Sequence, residues 1–135
     1  MKQQLFLKVS KDFKESYYNA LNNYNKKEYN LILDSREVFS SHVNKGNDIA
    51  KSYFNDYIYI KENVLHETIN NIKNYPNSEK YIYATGKEKI NIALTGNDLL
   101  KFYSIMEKRY YSISQTGRFI LGYFIEKWRN VNWYM

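Results

Sequence analysis

The sequence predicts an α+β domain: a small antiparallel sheet, built from an N-terminal strand and a hairpin near 81–95, packed against several helices with a long C-terminal helix or helix pair at the centre. Three observations lead there. Leu5, Leu7 and Val9 alternate with Phe6 and Lys8, and Ile90, Ile92 and Leu94 alternate with Asn91, Ala93 and Thr95. Period-two alternation describes strands with one buried face. Much of the remaining chain carries apolar residues at helical spacing, and the longest such stripe closes the chain.

In order, Leu5–Val9 reads as the first strand, and Ser10 can cap the helix that follows. Phe13, Tyr17, Leu21 and Tyr24 define the apolar face of that helix, which weak helix formers Asn22, Asn23 and Asn25 should end. Asp34 and Glu37 form a capping-box pattern before Val38, Phe39 and Val43, with Gly46 as a stop. Asn47 can cap a helix whose apolar positions run from Ile49 through Ile60, Val64, Leu65, Ile69 and Ile72 to Tyr75, closed by Pro76. Within it, Tyr57–Ile60 has strong β propensity and could be a strand. Tyr81–Thr85 and Ile90–Thr95 read as hairpin arms, with Gly86 free to take a positive φ in the turn.

The C-terminal stripe comprises Leu99, Tyr103, Met106, Tyr110, Ile113, Gly117, Ile120 and Phe124. Ser112, Ser114 and Gly117 are poor interior residues, so the helix can break there, with Ser114 capping a second helix near Gln115. Phe119–Ile125 is apolar almost all round, as expected of a central helix or of a self-association surface.

The 135 residues suit a single domain, 1–135, able to bury about two thirds of its unfolded surface. The 15 tyrosines belong at the core boundary, ring inside and hydroxyl outside. No apolar run approaches the roughly 20 residues that span a bilayer, and the N-terminus does not read as a signal peptide. With no cysteine, disulfides and thiolate metal sites are excluded. Rich use of Lys, Asn, Ile and Tyr suggests an AT-rich coding sequence. A cytoplasmic protein of a low-GC bacterial or archaeal host, carried by a phage or other mobile element, is expected.

Catalytic patterns are few. There is no phosphate-binding Gly-Lys-Ser/Thr loop, and the sequence around His66 offers no metal-ligand spacing. Arg36 and His42 share one predicted helix, and their spacing resembles the Arg-x(4–6)-His motif of HEPN ribonucleases. That resemblance covers these two residues and implies RNA cleavage at a dimer interface.

The candidate site is instead a surface. Lys101, Lys108, Arg109, Arg118, Lys127 and Arg129 outnumber the carboxylates of the C-terminal stretch, with Trp128 and tyrosines interleaved. Cations neutralise phosphates and aromatic rings stack on bases or anchor protein interfaces. The net charge of +6 agrees with an acidic partner. The expected function is therefore non-enzymatic and needs no cofactor or metal. It is either stoichiometric inhibition of a host nucleic-acid-handling complex, in the manner of an anti-CRISPR or anti-restriction protein, or direct nucleic-acid binding in replication, transcription or packaging. A homodimer through the C-terminal helix is a further expectation.

Overall fold

Along the chain the elements are β1 (Lys2–Val9), α1 (Lys11–Tyr29), α2 (61–71), a 3-10 helix (Pro76–Tyr83), β2 (Glu88–Thr95), α3 (Gly96–Arg109) and α4 (Ile113–Trp128). The structure, a computed structural model, describes residues 2–29, 61–72 and 76–128. The predicted capping box at Asp34, the Tyr57–Ile60 segment, the Arg36/His42 pair and Arg129 lie outside the described residues.

The α+β class is present, in a smaller sheet than a strand plus a hairpin. β1 pairs directly with β2, antiparallel, from Lys2 opposite Thr95 to Val9 opposite Glu88. Leu5, Leu7, Val9, Ile90, Ile92 and Leu94 all turn to the core. The expected first hairpin arm is helical: Tyr81–Tyr83 ends the 3-10 helix. Two interactions explain this. The Ile82 carbonyl, which a strand would give to a ladder, accepts from Arg118 at 2.7 and 3.1 Å, and Tyr81 donates its hydroxyl to Glu126 at 2.6 Å. Gly86 serves close approach rather than a positive φ, since a Cβ there would lie 2.8 Å from the Val9 oxygen.

Ser10 caps α1 as its chemistry suggests, accepting from the Phe13 N–H at 3.1 Å. The helix does not stop at its asparagines but continues to Tyr29. Burial of Phe13, Tyr17, Ala20, Leu21 and Tyr24 outweighs a propensity cost of well under about 1 kcal/mol per residue. Asn23 is itself recruited, donating to the Trp128 carbonyl at 2.7 Å.

The C-terminal stripe resolves into two helices. α3 ends in a pair of backbone bonds of Schellman type, Tyr110 N–H to Glu107 O and Tyr111 N–H to Met106 O, with Tyr110 left-handed at φ 57°. Ser112, not Ser114, caps α4: its Oγ accepts from Gln115 N–H while Gln115 Oε1 accepts from Ser112 N–H, a reciprocal capping box. The stripe breaks at this corner, because Tyr110 is 94% exposed and α3 buries Phe102 instead.

α4 is the central helix. It packs on the 3-10 helix, α1, β1 and α3, and every residue from Thr116 to Gly122 is buried. Its glycines permit this. A Cβ on Gly117 would sit 2.3 Å from Leu7 Cδ1, and one on Gly122 2.5 Å from Tyr81 Cδ2. Of the residues read alternatively as a self-association surface, Phe119–Ile125, all but the half-buried Tyr123 are buried within the chain.

Two outcomes follow from this packing. Phe124 is buried against the Tyr17, Tyr24 and Trp128 rings, so Phe124→Ala should lower stability by about 3–5 kcal/mol in denaturant melts. Lys61 of α2 is pushed from 10.5 down to about 8, first by burial and second by the charge of Lys14. Its folded pKa lies below its unfolded one, so the unfolded chain holds more protons between pH 8 and 10.5 and stability rises with pH across that window. Melts across the window should show that rise flattened in Lys61→Met.

Candidate nucleic-acid interface

The structure separates the basic residues predicted to share one face. Arg118 is 4% exposed. Its guanidinium donates to Lys8 O at 2.5 Å and twice to Ile82 O, and burial lowers its pKa from the usual arginine value. Arg109 pairs with Glu79 at 2.9 Å and lies 4.4 Å over the Phe119 ring. The Glu79 hydrogen bond is the main cause that raises its pKa. Trp128 is buried, its ring 5.0 Å from Tyr24. These three side chains hold the fold.

Lys101, Lys108 and Lys127 are exposed. Lys101 and Lys108, two turns apart, share a face of α3, and Lys101 also donates to Asn70 Oδ1. Lys127 lies at the far end of α4, which spans about 24 Å at 1.5 Å per residue. There it lines a recess of about 160 Å³ with Tyr24 and Glu67.

A more concentrated cationic surface lies on the sheet. One sheet face covers the core; the other faces solvent. The outer face carries four directly opposed pairs: Lys2 with Thr95, Gln4 with Ala93, Phe6 with Asn91, and Lys8 with Lys89. The Lys8 N–H donates to Ser114 Oγ at 3.1 Å and its carbonyl accepts from Arg118. Its backbone groups therefore point away from β2, which makes Lys8–Lys89 a non-hydrogen-bonded pair with Cα atoms about 4.5 Å apart. Like charges so placed destabilise a sheet. Neither lysine has a carboxylate partner among the described residues, and no carboxylate stands on this face. Lys2 alone is paired, with Glu62 of α2 at the far end. Beside the lysine pair Phe6 is 63% exposed, flanked by the amides of Gln4 and Asn91.

The face ends in a recess of about 210 Å³ where Lys2, Ala93 and Thr95 meet Glu62 and His66 of α2 and Asp98 of α3. His66 Nδ1 is 2.6 Å from Asp98 Oδ2, and Asn70 donates to Asp98 Oδ1 at 2.9 Å. In sequence His66 and Asp98 lie 32 positions apart, so neither spacing nor neighbours could reveal the pair.

Comparison with family models, with curated proteins and with solved structures finds no match to this chain. Among the described residues no group of three or more His, Cys, Asp or Glu side chains is placed to hold a metal ion, and no helix is long and apolar enough to cross a membrane.

Arg118 should behave as a strut. Arg118→Ala leaves the carbonyls of Lys8 and Ile82 without their buried donor and should cost about 2–4 kcal/mol in a urea melt. Arg118→Lys should recover only part of that, because one ammonium lacks the fork that serves two carbonyls.

Proposed function

We propose that the protein binds nucleic acid directly, through the outer face of its sheet. The observation that carries this reading is the unneutralised Lys8–Lys89 pair beside exposed Phe6. Cations held together against their own repulsion form a phosphate site, and an exposed ring beside them offers a base a stacking partner. Stacking needs an unpaired base, so the face suits single strands. The amides of Gln4 and Asn91 can bond to base edges. Arginine, with its stiffer and less hydrated head group, serves inside the fold at Arg109 and Arg118, while Lys8 and Lys89 supply exposed charge.

A second reading, stoichiometric inhibition of a host nucleic-acid-handling complex by a mobile-element protein, draws on a different surface. Tyr110 is 94% and Leu100 68% exposed, and exposed aromatic and aliphatic side chains anchor protein interfaces. The lysines of α3, Lys101 and Lys108, adjoin them in sequence.

Fluorescence anisotropy with short single-stranded DNA, across a salt series, separates the two. Binding should weaken steeply with salt. Lys8→Gln with Lys89→Gln should retain the circular dichroism spectrum and lower the salt slope by about one to two units. Phe6→Ala should weaken binding by roughly tenfold or more. A wild-type protein that binds no oligonucleotide at low salt would sink the direct reading and leave the protein partner as the one to pursue.

A further inference from the structure

We infer that the recess at the end of the outer sheet face is a metal-independent RNA-cleaving centre, with His66 as general base and Asp98 as the residue that positions it. The inference rests on the nucleic-acid reading above and adds a reaction to it.

Three features converge. First, the recess is continuous with the proposed binding face, because Lys2, Ala93 and Thr95 belong to both. A strand lying along the face from the Lys8–Lys89 end reaches His66 at the other. Second, the imidazole is oriented. The Asp98 side chain is 13% exposed and sits in the first turn of α3, while that of His66 is 61% exposed. Asp98 Oδ1 is engaged by Asn70, and Asn70 also donates to the His66 carbonyl at 2.8 Å, fixing the carboxylate and the α2 backbone together. A neutral imidazole that gives its Nδ1 hydrogen to Asp98 keeps its Nε2 lone pair free. Nε2 has no hydrogen-bond partner among the described residues. Third, ammonium groups stand nearby: Lys2 lines the recess, where it is paired with Glu62, and Lys101 is tied to the same Asn70 that holds Asp98.

A carboxylate-oriented base beside ammonium groups suits one phosphodiester chemistry in particular. Nε2 takes the proton of a ribose 2′-hydroxyl. The O2′–P bond forms as the P–O5′ bond breaks, and the departing O5′ takes a proton from water. The hydroxide left behind accepts the proton held on His66. The products are a 2′,3′-cyclic phosphate and a 5′-hydroxyl end, with no oxidant, reductant or other co-reactant. Lys2, once it exchanges Glu62 for the phosphate, can offset the extra negative charge on phosphorus in the transition state. Because the nucleophile belongs to the substrate, the substrate class is single-stranded RNA, and DNA is bound without being cut.

The test uses matched single-stranded RNA and DNA oligonucleotides with the full chain in EDTA. RNA should be cleaved to 2′,3′-cyclic phosphate ends and DNA left intact. His66→Gln should lower the rate by about 100-fold or more, the ordinary contribution of a general base. Added imidazole should restore turnover to His66→Ala, which a purely structural histidine would not show. Asp98→Asn should lower kcat and leave KM in place. DNA binding without RNA cleavage, or cleavage that persists in His66→Gln, overturns the catalytic assignment and spares the binding reading. Failure to bind DNA overturns the binding reading, and RNA left intact by wild-type protein overturns the catalytic one whether or not binding is seen.

Discussion

The Arg118 guanidinium joins three elements at one point. It rises from the buried side of α4, bonds the last turn of the 3-10 helix through Ile82 O, and holds the end of β1 through Lys8 O. A charge taken out of water is costly unless its hydrogen bonds are replaced, and these carbonyls replace them. The arrangement also explains a local exception. Tyr81–Tyr83 follows a strand-like pattern, yet the Ile82 carbonyl is taken by the arginine beneath, so the segment coils, and the sheet has two strands among the described residues. Two strands alone are marginal in water, and here α4 supports them, drawn close by Gly117 against Leu7.

That support leaves one sheet face for solvent, and the charges sort accordingly. Arg109 and Arg118 face glutamate, a ring or backbone carbonyls within the fold. Lys8 and Lys89 stay outside and oppose each other across the strands, with no carboxylate between them. A protein selected for stability alone would gain from breaking such a pair. Beside it the Phe6 ring stands exposed.

The His66–Asp98 pair has a different origin. α3 leaves β2 at once through Gly96, whose φ is +52°, and this sharp exit lays the first turn of α3 beside α2. Asp98 could be read from the sequence as a helix-capping candidate and His66 as a solitary histidine. Their meeting depends on the angle of that turn, and so does the position of the recess at the end of the outer sheet face.

The sequence by itself determined the elements whose signals are local. Alternation in Leu5–Val9 and Ile90–Leu94 assigned the inner faces of both strands, and with them the outward direction of Phe6, Lys8 and Asn91. Ser10 as a cap, the apolar face of α1 and the all-round burial of α4 were legible for the same reason: periodicity reports which side of an element is dry. Tertiary structure alone decided the rest. Register placed Lys8 opposite Lys89, and a buried carbonyl turned a β-prone segment into a 3-10 helix. Packing took Arg118, Arg109 and Trp128 from the expected basic face into the fold, and the chain reversal at Gly96 brought His66 to Asp98. Each of these depends on a partner distant in sequence, and composition and spacing carry no record of such partners.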